Sequence, residues 1–429
     1  MSKNILNDLP ELLRANVIDE ETAKRITAYY DAKPNASSNR LFVVFGILGA
    51  LLISMGLVLI VAHNWDDLPK AAKLFIGLLP MLIGQGVCGY LVVKDIPSRA
   101  WREGCGAYLC FTIALSIAVV GQVYNLEGNF PRFLMVWMLL TLPAVYVLRS
   151  SMAAMLYVCG VTWYACELGY FHYPSMPPWK YWPMLALVLP FCYTEFIMKG
   201  FKNNFYYFIS WLVVLSVTFC IGAFENHHED LVIGMYMSLF SVFVLLSELK
   251  AFETHRVLTN PLLLVGSLGI MCLLLLLSFD WYWDELDRFT EQDNLASMEF
   301  YFTAILSALA VILMVFVFRA KSIASINLKG FAFLIFIALY IMGINAPGSA
   351  QLLVNLVILI FAVYTIRSGA KQNHLGILNY GLLIITALIL CRFFDTDFSF
   401  ILRGLLFIAV GIGFFAANYY MIKKRKQNA

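Results

Sequence analysis

Ionisable side chains are what this chain has least of. Asp, Glu, Lys and Arg make up 13% of its 429 residues, where a soluble domain carries about 25%. With 61% hydrophobic residues and a mean hydropathy of +0.78, the chain falls in the class that lipid, not water, solvates. A net charge of +3 is too small to drive nucleic-acid binding, and no basic run interleaves with aromatics, so nucleic acid is excluded as a partner. The nine cysteines lie in apolar runs without a CxxC pair. That excludes a zinc ribbon or a disulfide framework and leaves them as small buried hydrophobes. There is no Ser-His-Asp signature, no HExxH and no phosphate-binding glycine loop. No cofactor and no metal are expected, and no catalytic residue is assigned.

What is present is a succession of apolar runs of about twenty residues, the length at which a helix rising 1.5 Å per residue crosses a hydrocarbon slab of roughly 30 Å. They lie near 41–62, 72–92, 103–123, 133–149, 152–170, 181–198, 205–224, 231–249, 261–279, 300–318, 328–345, 350–366, 374–391 and 401–421. The expected fold class is all-α: a polytopic transmembrane helix bundle of about 14 spans over 41–421, followed by a basic tail over 422–429. Glu167 interrupts the fifth run, and the eleventh needs Lys329 to snorkel at its end. No Asp, Glu, Lys, Arg or His falls at the middle of a run, which argues against a carrier driven through a midplane carboxylate. Midplane polarity is limited to groups such as Gln85, Thr112, Ser116, Thr141 and Ser210, read as glue between helices. Glycines in the first two runs permit close backbone approach, and Pro80 with Gly84-Gln85-Gly86 is where a broken helix is expected if a permeation route exists.

Residues 1–40 are polar, so no cleavable signal peptide is expected and the first membrane helix acts as its own insertion signal. Asp8 and Pro10 open a short helix through Ala15, and Asp19 caps a second from Glu20 to about Asp31. The result is a short N-terminal αα-hairpin with an apolar seam that includes Leu9, Leu12, Val17 and Ile26, followed by a linker over 34–39. It is too small for a core of its own. It is expected in the cytoplasm, packed on the membrane domain or engaging a cytoplasmic protein partner.

Orientation follows from Lys and Arg in the links. With the N-terminus inside, seventeen of the thirty fall in inner links and the C-terminal tail, seven in outer links and six in the N-terminal segment. An even number of spans with both termini in the cytoplasm fits that count. The outer links are acidic and aromatic, with Trp65, Trp137, Trp163, Trp179, Trp182, Trp281 and Trp283 toward that side. These are read as a headgroup-level indole belt or as platforms for a sugar or lipid headgroup.

Polar groups gather at the same outer ends. His63, Asn64, Trp65, Asp66 and Asp67 close the first span; Gln122, Tyr124 and Asn125 close the third; Arg392, Asp395 and Arg403 bracket the last outer link. Arg392 and Asp395 stand i,i+3 and pair if that link begins helically, while Arg403 needs an acid such as Asp66 or Asp395. The group is either a substrate-binding rim or a hydrogen-bond network that closes the bundle. One histidine beside carboxylates is too little for a metal site.

The N-terminal hairpin, Ala62-His63-Asn64-Trp65-Asp66, and Gly121-Gln122-Val123-Tyr124-Asn125 resemble the prokaryotic domain-of-unknown-function family 2157. Arg392-Phe393-Phe394-Asp395 with Phe400-Ile401-Leu402-Arg403-Gly404 is similar to the end of the same and allied families. The resemblance is clearest over roughly the first 150 residues. It implies a multi-span protein of a bacterial inner membrane and supplies no activity. Three functions then compete. The preferred one is a transporter or flippase-like protein for an envelope building block or lipid, surrounded by membrane lipids. The second is an enzyme at the outer surface acting on a lipid-linked sugar, with Asp66 or Asp67 as base; the short outer link from Ala62 to Ala71 leaves it little room. The third is a non-catalytic sensor or assembly factor.

Overall fold

The structure, a computed structural model, describes residues 9, 12–15, 17–31, 65–199, 204–224, 229–249, 260–289, 297–321, 327–372, 374–395 and scattered positions between 401 and 419. The expected first span over 41–62, the linker over 34–39 and the basic tail lie outside the described residues. Among those described the protein is 86% helix and has no strand. The chain divides into two compact units, Met1–Ile76 and Gly77–Ala429.

In the first unit, α1 (Glu20–Asp31) starts where the Asp19 carboxylate accepts the Thr22 N–H at 3.2 Å, the expected N-cap. Those hydrogen bonds from Thr22 hold the Asp19 carboxyl below its ordinary value. Leu9 and Ala23 are buried, but Val17, expected in the same seam, is 66% exposed. It follows a turn in which its own N–H closes on Leu12 O at 3.0 Å, and this turns its side chain outward. A turn over 65–68 then leads into α2 (Lys70–Val93), which carries the chain into the second unit.

The second unit continues with α3 (Arg99–Val123), α4 (Phe130–Leu148), α5 (Ser151–Cys166), α6 (Tyr181–Lys199), α7 (Asn204–Gly222), α8 (Glu229–Ser247), α9 (Pro261–Leu277), α10 (Trp281–Phe289), α11 (Met298–Ala320), α12 (Ala332–Asn345), α13 (Pro347–Lys371) and α14 (Leu375–Asp395). Twelve of the fourteen expected runs fall on these helices within a few residues. The helix starts follow local chemistry. Asn129, Ser150, Asn260 and Ser297 each accept a backbone N–H from three residues ahead, and Pro131 and Pro261 pre-set the first turns of α4 and α9. Among the described residues eight helices are long and apolar enough to cross a membrane. The apolar stretches Tyr181–Thr194, Tyr207–Gly222, Leu231–Ser247 and Pro261–Leu277 are shorter.

The helices form two bundles. In one, α3, α4, α6 and α7 surround α5, whose Ala153, Tyr157, Val161 and Ala165 are fully buried. In the other, α9, α11 and α12 pack on α8, and α13 and α14 close on α9. Residues Met235 to Leu245 of α8 are nearly all buried, as expected of a helix that is apolar all round. α7 packs on both α5 and α9 and so joins the bundles.

Several expectations need correction. α2 runs unbroken through Pro80. Gly77 and Gly84 do face α3, where an added Cβ would meet Val119 at 2.6 Å and Leu109 at 2.8 Å, but Gly86 faces open space. Of the midplane groups, Ser116 is glue, its hydroxyl donating to Gly77 O of α2 at 2.9 Å. Thr141 bonds Trp137 O of its own helix and also the Cys110 thiol of α3, whereas Thr112 and Ser210 bond carbonyls of their own helices and Gln85 is exposed. At Glu167 the fifth run departs from α geometry into a π turn, Glu167–Phe171. The link after α9 folds into the amphipathic α10, an element the apolar runs did not signal. There Trp281 is 48% exposed, as an interfacial belt needs, whereas Trp283 is 1% exposed. Its indole N–H donates to Leu277 O at 2.7 Å, and its ring fills the space a side chain at Gly343 of α12 would take. Trp179 and Trp182 pack with Phe224 and Phe302 in a mixture of stacked, tilted and edge-on contacts, the closest centroids being 4.7 Å apart.

Candidate functional site

The residues expected at the outer rim are placed as follows. His63, Asn64 and Arg403 lie outside the described residues, and for Asp395 only its place at the end of α14 is described. Trp65, Asp66 and Asp67 form the turn of the first unit that precedes α2; both carboxylates are exposed, and the Lys73 ammonium stands 5.6 Å from the Trp65 ring centroid. Gln122, Tyr124 and Asn125 end α3 with exposed side chains. Asn125 takes the left-handed conformation, φ 50°, and the Leu126 N–H returns to Gly121 O at 2.9 Å. That is a Schellman closure, so the amide stands where a helix needs a residue that tolerates positive φ. Arg392 donates to Ser278 Oγ at 3.3 Å, with its guanidinium 5.3 Å from the Phe279 ring, which ties the end of α14 to the end of α9. Within the second unit, the rim residues therefore fall on two different bundles.

One carboxylate near a span end has structural partners. Glu103 on α3 accepts the Ser150 hydroxyl at 2.8 Å and the Met152 N–H at 2.7 Å, which places a negative charge at the N-terminus of α5. Among the described residues no three His, Cys, Asp or Glu side chains converge on a metal position.

At the end of the second bundle away from Arg392 the structure gathers polar groups that sequence reasoning did not combine. The last turn of α8, the first turns of α9 and α14, the ends of α11 and α13 and the 3₁₀ turn Leu328–Phe331 enclose a chamber of about 440 Å³. Lys329 lies in its wall, 4% exposed. The expected snorkelling does not occur, and the local fold shows why. Asn327 caps the 3₁₀ turn by accepting the Lys329 N–H at 3.2 Å. Gly330 lets that turn lie flat on α8, where a Cβ would meet Leu245 at 2.8 Å. Ser241 of α8 takes the Phe333 N–H at 3.1 Å, satisfying a donor left over at the start of α12. Held this close, Lys329 points inward. Its ammonium donates to Ser267 Oγ of α9 at 2.6 Å and stands 4.6 Å from the ring centroid of Tyr380 on α14. The Tyr380 hydroxyl in turn donates to Ser267 O at 3.2 Å.

Elsewhere on the chamber wall Glu248 and Lys321 pair at 2.8 Å. His374 accepts the Ile377 N–H at Nδ1, 3.3 Å, so a neutral ring carries its proton on Nε2. Leu263, Leu264, Leu268 and Ile377 supply an apolar side. Among the described residues no carboxylate lies within ion-pair distance of Lys329. The charges of Lys321 and Glu248 cancel, and one buried positive charge is left facing the cavity. A signal for this site was legible in Thr365, Ser368 and Gln372, which recur on one face of a span end.

No curated protein and no solved structure matches the chain. Residues 10–154 match the sequence model of the family described as predicted membrane protein (DUF2157), and over that stretch the chain carries the pattern of this family.

Proposed function

We propose that the protein is a transporter or flippase-like protein of a bacterial inner membrane that handles an envelope building block or lipid. In this reading the chain crosses the membrane about 14 times, with both termini and the helical hairpin of residues 1–40 in the cytoplasm. The rim of His63, Asn64, Trp65, Asp66, Asp67, Gln122, Tyr124, Asn125, Arg392, Asp395 and Arg403 forms the extracytoplasmic binding site.

The chamber of about 440 Å³ carries the reading. A bundle built only for structure packs to crystal-like density, whereas ligand sites are voids of roughly 300–1,000 Å³ with a few converging polar groups. Apolar helices of membrane-crossing length support it further. Against the enzyme reading stands the shortness of the first outer link, since α2 already begins at Lys70.

The test is transport by the purified protein in liposomes, read as the rate at which a fluorescent phospholipid or a lipid-linked sugar becomes accessible to a membrane-impermeant quencher. Rates equal to those of protein-free vesicles for every such substrate would remove the proposal. Asp66→Asn and Arg403→Gln examine the rim: both should abolish transport while leaving the protein folded and monodisperse. Cysteine labelling that put residues 63 and 392 on opposite leaflets would remove the rim outright.

A further inference from the structure

We propose that the chamber between α8, α9, the 3₁₀ turn and α14 binds an oxyanion head group, phosphate or carboxylate, on a small amphiphilic molecule, with Lys329 as its counter-ion. The inference rests on reading the chamber as the space that holds ligand, and it names the chemistry of what is held.

Three observations lead to it. The first is a cation out of water. An ammonium 4% exposed in a low-dielectric bundle forfeits several kcal/mol of hydration, which a hydroxyl and an aromatic face restore only in part. The described contacts of Lys329 are the Ser267 hydroxyl and the Tyr380 ring, neither of which carries charge. The second is the void beside it. An apolar neighbour would have closed over the ammonium; here about 440 Å³ stands open against it, far more than a water or an inorganic anion fills. The third is the balance of the wall. Glu248, the carboxylate lining the chamber, is neutralised by Lys321 at 2.8 Å, and the orientation of His374 directs an N–H donor from Nε2. The charge left over on the wall is the Lys329 ammonium, with an imidazole N–H beside it, an arrangement that suits an anion. Leu264, Leu268 and Ile377 give the body of the molecule an apolar surface to lie on.

An anionic phospholipid and a soluble organic anion both present this chemistry, and the experiment separates them. The full-length protein is purified in an uncharged detergent and titrated with octyl phosphate, octanoate and octyl glucoside while its melting temperature is followed. Octyl phosphate or octanoate is expected to raise the melting temperature, and octyl glucoside is not. Lys329→Met should weaken binding at least about tenfold, the low end of what a charge-assisted hydrogen bond contributes in a desolvated site. Lys329→Arg should retain it. If Lys329→Met does not fold, Leu264→Trp fills the chamber with the lysine intact and should weaken binding as strongly. Native mass spectrometry then identifies the source. Phosphatidylglycerol retained by the wild type and lost from Lys329→Met marks a lipid; anion binding without retained lipid marks a soluble ligand.

Equal binding of octyl glucoside, equal binding by the wild type, Lys329→Met and Leu264→Trp, or no binding of either anion together with no retained lipid would overturn the proposal. A protein that binds anions through Lys329 yet transports nothing would leave this inference standing and remove the transport reading. Transport undiminished in Lys329→Met would do the reverse.

Discussion

In the bundle around α5, buried hydroxyls close on one another: Thr162 donates to Ser216 at 2.7 Å, Tyr181 and Ser216 lie 2.8 Å apart, and Tyr157 donates to Met184 O at 2.8 Å. In the bundle around α8, a buried ammonium opens on a cavity. Neutral groups that satisfy each other inside a low-dielectric core are stable and specify one packing. A charge beside a void serves packing poorly, because an apolar side chain of the same size would fit the bundle at least as well. The first bundle is built as scaffold and the second as container, and substitutions at matched positions separate the two.

The largest contrast is expected at two helix crossings. At Gly369 of α13 an added Cβ would overlap the backbone nitrogen of Leu378, which cannot yield without moving α14. At Gly160 of α5 the obstacle is the end of the flexible Met138 side chain. Gly369→Ala should cost about 3 kcal/mol or prevent folding, and Gly160→Ala about 1 kcal/mol. The order of the two melting temperatures checks this, and equal losses would contradict it.

Next comes a difference of sign. Ser216→Ala takes from Tyr181 its hydroxyl partner, while Thr162 keeps its bond to Val158 O, and should destabilise by about 1 kcal/mol. Lys329→Met, measured without ligand, should leave stability unchanged or raise it by about 1 kcal/mol. Both are read in parallel thermal melts; a large loss from Lys329→Met would make the lysine a structural member of its bundle. A smaller effect is expected from Glu103→Gln, which keeps one acceptor at the start of α5 but removes its charge there, about 0.5–1 kcal/mol. The smallest lies in the first unit. The Asp19 carboxyl is held below its ordinary value, so its cap contributes fully above the ordinary carboxylate range and is lost as pH falls through the lowered value. The protection factor of the Thr22 amide, its exchange rate divided into the intrinsic rate at the same pH, should therefore fall on acidification in the wild type, and be low at every pH in Asp19→Ala.

Length and hydropathy were enough to place helices in this chain, because lipid-facing residues such as Phe75, Leu82 and Ile305 announce themselves along every run. The cap at Asp19 was equally readable, since capping is local chemistry. Of the chamber, only the face of Thr365, Ser368 and Gln372 was. Ser267, Lys329 and Tyr380 are separated by 62 and 51 positions, and only tertiary packing makes them neighbours. Lys329 misled for a clear reason. A lysine at a span end normally reaches outward to the headgroups, and nothing local shows that the Asn327 cap and Gly330 turn it inward. α10 escaped notice for the same kind of reason: its polar face reads as a link, and its apolar face becomes meaningful only once Gly343 supplies the socket for Trp283.

That socket locks two helices together. The indole of Trp283 bonds to the last carbonyl of α9 and fills the place a side chain at Gly343 of α12 would take. A sliding of α9 against α12 therefore has to break that bond and that fit at once.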